Sequence, residues 1–308
     1  MPLRKWRQAT VVGCGLIGSS FALALKRNQN CARVLGWDTS TTVLAEALDR
    51  GIIDEVDQSF AKGTVSEAEL IYLAMPILQI VDFLRDHASQ LSSGAIITDS
   101  GSTKRAICSA ANAHLPATVH FVGGHPIAGS HHSGPKHATA DLFAAANYVL
   151  TRDNSSPDST AFNEIHDTVA ALGCRVHLMT AAEHDRAFAL VSHLPQLLSS
   201  ALASVVAQQP DSDALNGMAG PAFREMTRLA DSSWSMWRDL LASNAHEIST
   251  ALDLVLAKLR AARDELHATS LADEPEFLEL RALFETEMSG SGQAGVRERR
   301  STSSGFVE

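Results

Sequence analysis

Val11-Val12-Gly13-Cys14-Gly15-Leu16-Ile17-Gly18 decides how this chain folds. It is a G-x-G-x-x-G run set between an apolar strand pattern, Ala9–Gly13, and a helical pattern, Ser19–Arg27. A turn that closes a strand and opens a helix in this way is the phosphate-binding corner of a dinucleotide fold. Gly13 permits the tight turn, Gly15 lets the backbone approach a pyrophosphate, and Gly18 lets the helix pack closely on the strand. The helix start, with Leu16 and Ile17, turns its free N–H groups and positive dipole end toward the phosphates. Asp38 ends the next strand pattern, where an acid accepts hydrogen bonds from a ribose. The following Thr39-Ser40-Thr41-Thr42 contains no arginine for a 2′-phosphate. The cofactor expected is therefore NAD.

Outward from this turn, strand patterns alternate with helical ones. The strands expected are Ala9–Gly13, Ala32–Asp38, Glu69–Met75, Ala95–Asp99, Thr118–Gly123, Asn147–Thr151 and Cys174–Met179. Such alternation implies a mostly parallel sheet covered by helices. After residue 181 the strand signal stops, and Ala181–Gln209, Phe223–Ala230, Trp234–Arg263 and Leu271–Glu287 have helical spacing. The expected fold is an α/β Rossmann-type dinucleotide-binding domain (1–180) followed by an all-α C-terminal domain (181–288). A Gly-, Ser- and charge-rich tail (289–308) is expected to be disordered. The apolar stripe of Ala242–Leu266 suggests a homodimer through the helical domain.

The 308 residues carry a formal charge of -10, which argues against nucleic acid or an anionic membrane as partner. The four cysteines, Cys14, Cys31, Cys108 and Cys174, are spread along the chain and are expected as free thiols in a reducing, cytoplasmic setting. No apolar run is expected to span a bilayer, and the basic start is not a signal peptide.

Polar residues gather in four later segments. Gly123-Gly124-His125-Pro126-Ile127-Ala128-Gly129-Ser130 puts a histidine in a glycine-rich loop after an apolar strand, where a base can reach a ligand. The others are Asp99-Ser100-Gly101-Ser102-Thr103-Lys104, Ser192-His193-Leu194-Pro195, and Phe223-Arg224-Glu225-Met226-Thr227-Arg228, with Ser235-Met236-Trp237-Arg238-Asp239 beyond. These motifs, in this order, resemble the prephenate/arogenate dehydrogenase family of tyrosine biosynthesis, from about residue 8 to 285.

The resemblance implies an NAD-dependent oxidative decarboxylation of a cyclohexadienol to a phenol. It implies His125 as the base or hydrogen-bond acceptor at the C4 hydroxyl. Ser102 is similar to the family serine that orients this histidine and the nicotinamide, although a serine before Thr103-Lys104 also suits a helix N-cap. His193 is similar to the second family histidine and Arg228 to the arginine that holds a substrate carboxylate, for which its fork is suited. Trp237 resembles a tryptophan near the pocket. Pro195 is expected to bend the helix that carries His193.

Two departures from the commoner pattern stand out. Ser130-His131-His132 lacks the acid that many members carry there, and Gln196 stands where many have histidine. Ser130 and His131 are expected at the substrate. Histidine gives no preference for the ammonium of arogenate, so prephenate is the expected substrate. Arogenate dehydrogenase, or dual cyclohexadienyl specificity, is the alternative. A β-hydroxyacid dehydrogenase is weaker, because Lys258 is the only lysine after residue 181. A non-catalytic NAD-binding regulator is the third reading. His131, His132 and His137 lack nearby acids or cysteines, so no metal is expected.

Overall fold

The computed structural model describes residues 6–129, 132–152, 160–268 and 277–285. Ser130, His131, the tail 289–308 and much of the helix expected at Leu271–Glu287 lie outside the described residues. The chain forms two compact units, Met1–Ala251 and Leu252–Glu308. The helices from 181 to 251 therefore pack as part of the first unit.

In chain order the first unit begins β1 (Trp6–Val12), α1 (Leu16–Arg27), β2 (Cys31–Trp37), α2 (Thr41–Asp49), β3 (Glu55–Val56), α3 (Ser59–Lys62) and β4 (Leu70–Leu73). It continues α4 (Ile77–Asp86), β5 (Ile96–Asp99), α5 (Arg105–His114), β6 (His120–Val122), β7 (Gly124–Ile127), β8 (Asn147–Thr151), α6 (Thr160–Ala171) and β9 (Arg175–Met179). Six strands form a parallel sheet of order β3-β2-β1-β4-β5-β6. The order reverses beside β1, and ligands of such sheets bind at that switch point, beyond the carboxyl ends of the strands.

The remaining strands form a second sheet, β7-β8-β9, in which β7 runs antiparallel to β8. This corrects the expectation of one sheet and of a loop around His125. Gly124 lies where backbone crosses backbone, and Gly123 where the Thr151 and Cys108 side chains press on the chain. A Cβ on Gly124 would lie 2.5 Å from the Asp99 carbonyl oxygen, and one on Gly123 2.5 Å from Thr151 Oγ1. The chain can thus leave β6 and start β7 at once, with His125 opposite Val149.

Aromatic packing joins β4, α1 and the segment that leads into β8. Phe21 stacks on Tyr72 of β4 with centroids 3.7 Å apart and meets Phe143 edge-on at 6.3 Å. Burying each such side chain contributes about 1.5–3 kcal/mol. Trp6 Nε1 donates to Thr168 Oγ1 at 3.1 Å, tying β1 to α6.

Helices follow: α7 (Ala181–Phe188), α8 (Leu194–Ala207), α9 (Ser212–Met218), α10 (Pro221–Thr227), α11 (Trp234–Ser243), α12 (Ala245–Ala268) and α13 (Leu278–Glu285). Two expected helices are interrupted. A 3-10 turn, Arg228–Asp231, replaces the end of Phe223–Ala230. Trp234–Arg263 breaks at Asn244, whose side chain is buried and engaged elsewhere.

The continuous helical run Ala181–Ala207, 27 residues, is long and apolar enough by length and composition to cross a bilayer, contrary to the sequence expectation. Here it carries buried His184, Asp185 and His193. It is not one uniform helix, because Ala189–His193 is a π turn. That turn, rather than a simple bend, is how the chain accommodates Pro195, which has no N–H for the carbonyl four residues before it.

Candidate active site

The glycine turn sits between β1, β2 and β4. Gly13 N–H donates to the Trp37 carbonyl at 2.8 Å, and Ala74 N–H to the Val12 carbonyl at 2.7 Å. Gly13 has φ +92°, and a Cβ there would lie 2.4 Å from the Ala74 oxygen. A Cβ on Gly18 would lie 2.0 Å from the Gly13 oxygen, so α1 packs directly on the turn. Gly15 faces open space and caps α1 without a side-chain bond. The N–H groups of Leu16 and Ile17 thus start a helix that no side chain caps, the arrangement that suits a phosphate.

Asp38 accepts from Cys14 N–H at 2.9 Å and Ser40 N–H at 2.8 Å. It therefore shapes the glycine turn. A carboxylate has about four lone-pair positions, so two remain for hydroxyl donors. Cys14 is no nucleophile: burial, then the Asp38 charge, push its thiol up to about 12.

Asp99, at the end of β5, organises the next layer. Its Oδ2 accepts from Gly101 N–H at 2.8 Å and from the Lys104 ammonium, and its Oδ1 from Gly124 N–H at 3.0 Å. Lys104 is wholly buried and also donates to the Gly124 carbonyl at 2.7 Å. This ion pair ties the loop of Ser102 to the strand of His125. Ser102 is half-buried within that loop. It is not the cap of α5. The N–H groups of Lys104 and Arg105 go instead to the two oxygens of Asp185, at 2.7 and 2.9 Å.

His125 is buried, and its Nδ1 lies 2.8 Å from His184 Nε2. His184 Nδ1 lies 2.8 Å from Asp185 Oδ1. Phe188, one turn on, stacks against His184 at 4.3 Å and leans on His125 at 4.8 Å. Burial first, then the charges of His184, Lys104 and His193, hold His125 well below the ordinary histidine value. Burial opposes ionisation of Asp185, but the His184 bond and the two backbone N–H groups outweigh it and keep its carboxyl below the usual range.

His193 joins the same set. Nine residues at ~100° each would place it opposite His184 on a regular helix, but the extra residue of the π turn removes ~100°. Asn244 Nδ2 then reaches both the Asp185 carbonyl, at 2.8 Å, and His193 Nδ1, at 3.2 Å. Because that amide donates, the His193 proton resides on Nε2. This buried atom has no partner among the described residues. Trp237 meets the ring edge-on at 6.1 Å.

Arg228 opens the 3-10 turn and is exposed. Its turn is held against α8 by Gln196, whose Nε2 donates to the Leu229 carbonyl at 2.6 Å. Gln196, noted above only as a departure, is thus a clamp. His125, His193 and Trp237 are linked through His184, Asp185 and Asn244, while Gln196, three residues beyond His193, holds the Arg228 turn. Sequence reasoning missed His184, Asp185 and Asn244. The adjacent His184-Asp185 pair, on the helix that leads into Ser192-His193-Leu194-Pro195, was the available signal. A cavity of about 810 Å³ near Arg7, Arg33 and Glu69 lies at the opposite, amino ends of the strands, where Arg7 pairs with Glu69.

Fold and site together define a dinucleotide-type α/β protein with a histidine-centred cluster held by its helical half. The nucleotide-binding domain model of prephenate dehydrogenase matches residues 21–178, and its dimerization domain model matches 180–283. The chain belongs to the prephenate dehydrogenase family. Prephenate dehydrogenase of Bacillus subtilis is 37% identical over 248 residues, 79% of this chain and 66% of that protein. The chain thus spans just under two thirds of that relative. Cyclohexadienyl dehydrogenase of Zymomonas mobilis is 31% identical, over 84% of this chain and 88% of that protein. The structure of prephenate dehydrogenase from A. aeolicus with hydroxyphenyl propionate and NAD+ superposes with TM-score 0.81 and 28% identity, covering 90% of this chain and 96% of that one.

Proposed function

We propose that this chain is an NAD-dependent prephenate dehydrogenase, converting prephenate to 4-hydroxyphenylpyruvate with loss of carbon dioxide in tyrosine biosynthesis. The observation that carries the reading is the buried, neutral His125, coupled by hydrogen bonds to His193 within a chain of this family.

Gly13, Gly15, Leu16, Ile17, Gly18 and Asp38 would hold the cofactor: the open face at Gly15, the uncapped helix start and the spare Asp38 lone pairs fit a pyrophosphate and ribose. The nicotinamide, when bound, supplies the hydride acceptor. His125 takes the hydrogen bond of the C4 hydroxyl and holds its proton as the ring carbon loses hydride. Ser102, on the loop tied to His125 through Asp99 and Lys104, orients His125 and the nicotinamide. His193 Nε2–H donates to the substrate, and the exposed Arg228 guanidinium receives a carboxylate in bidentate fashion. Trp237 walls the pocket. Ser130 and His131 complete the substrate set. Burial excludes water from the reacting atoms, which strengthens each of these interactions.

NADH formation measured with prephenate and with arogenate, each with NAD and NADP, tests the reading. Turnover of prephenate with NAD supports it, and turnover of arogenate alone moves the substrate to the amino acid. No turnover of either, with NAD binding intact, favours a regulator.

The family model of the helical half supports a homodimer, as does the apolar groove of Leu259, Ala262, Leu266, Leu280 and Leu283 in the second unit. Four free cysteines suit a cytoplasmic setting.

A further inference from the structure

We propose that His184 and Asp185 are positioning residues that fix the tautomer of His125, so that its lone pair is on Nε2. The inference rests on His125 being the acceptor at the substrate hydroxyl, but its geometry stands without that reading.

The direction of each bond follows from one end. The N–H groups of Lys104 and Arg105 can only donate, and both point at the Asp185 carboxylate. The start of α5 adds its positive dipole end. Asp185 is therefore an anion with acceptor oxygens. At 2.8 Å a bare His184 Nδ1 would set two acceptors against each other, so His184 carries its proton on Nδ1. The titratable groups around the pair are Asp185 on α7, Lys104 before α5, Asp99 at the end of β5 and His193 in the π turn. Burial first, and the Lys104 ammonium with it, outweigh the two acids and leave His184 below its ordinary value. Neutral His184 then has its lone pair on Nε2, which receives a proton from His125 Nδ1 at 2.8 Å.

The His125 lone pair is accordingly on Nε2, for which the described residues give no hydrogen bond. Phe188 packs against both rings and holds them in this orientation. Tautomer selection by a carboxylate-backed partner governs whether an imidazole accepts or donates. Here a second imidazole carries the selection across the interval between Asp185 and β7.

Histidine-¹⁵N NMR of the full chain near pH 7.5 tests this without any variant. The His125 signals are identified by their loss in His125→Gln. A proton on His125 Nδ1 with a bare Nε2 is expected, and the opposite tautomer overturns the proposal. Two variants add a kinetic arm. His184→Phe cannot accept the Nδ1 proton, and kcat is expected to fall about 100-fold with NAD binding unchanged. His184→Gln offers an amide oxygen and is expected to recover most of that loss. Equal loss in both, or a wild-type pH profile in His184→Phe, overturns the positioning role. Failure of the substrate assignment would appear instead as absent turnover in the wild type with the NMR result intact.

Discussion

Asn244 and His193, 51 positions apart, meet at 3.2 Å, and the amide donates to the ring Nδ1. A helix break at Asn244 and a π turn at Ala189–His193 are both needed for that contact. Asn244→Leu keeps the volume and removes the donor, which frees the His193 proton to move to Nδ1. Substrate KM is expected to rise about tenfold, equivalent to ~1.4 kcal/mol, with NAD affinity unchanged. Steady-state kinetics with separate cofactor titration checks this, and an unchanged KM refutes it.

His125→Ala removes the acceptor proposed for the substrate hydroxyl while leaving the glycine turn untouched. Turnover should drop by about 10²–10⁴ with NAD binding preserved. Near-normal kcat would remove His125 from the chemistry.

Gln196 clamps the Arg228 turn through one short hydrogen bond to the Leu229 carbonyl. Gln196→Ala should loosen the carboxylate site and raise substrate KM about fivefold, from ~1 kcal/mol for a neutral hydrogen bond. Arg228→Lys should give a larger rise, because the bidentate fork is lost. An effect on NAD binding in place of KM would show that the turn serves the cofactor.

Stability should decline in acid over a defined window. Burial pushes His193 down from 6.5 to about 4, and it also lowers His125 and His184. The unfolded chain takes up these protons below its ordinary histidine values, while the native state does not. The stabilisation is therefore full above pH ~6.5 and is lost as the pH falls toward the native values. For His193 the slope is ~1.4 kcal/mol per pH unit, about 2–3 kcal/mol by pH 4. Denaturant unfolding at pH 7.5, 6 and 5 measures it, and a flat profile would contradict buried neutral imidazoles.

Gly13→Ala should destabilise by ~1–3 kcal/mol from backbone strain alone, and the 2.4 Å approach to Ala74 adds to that. Thermal unfolding and NAD titration should both report the loss. Wild-type stability would mean that the turn relaxes freely.

The dinucleotide turn was legible because its causes are local. Strand, Gly13, Gly15, Gly18, the start of α1 and Asp38 fall within the 30 residues Ala9–Asp38, and steric and dipole rules act at that range. His125, His193 and Arg228 were legible as residue types in motifs. Their physical state was not. The glycines before His125 suggest a loop, yet they are required where Gly124 presses on Asp99, 25 positions away.

By itself, then, the sequence determined the fold class and the glycine turn of the dinucleotide domain, and it marked His125 as the candidate base. Tertiary structure alone decided that His125 is a strand residue, that α5 is capped by Asp185 from 81 positions away, and which ring nitrogens carry protons. A proton's position on an imidazole depends on the partner that packing brings within about 3 Å. Chain order does not specify that partner.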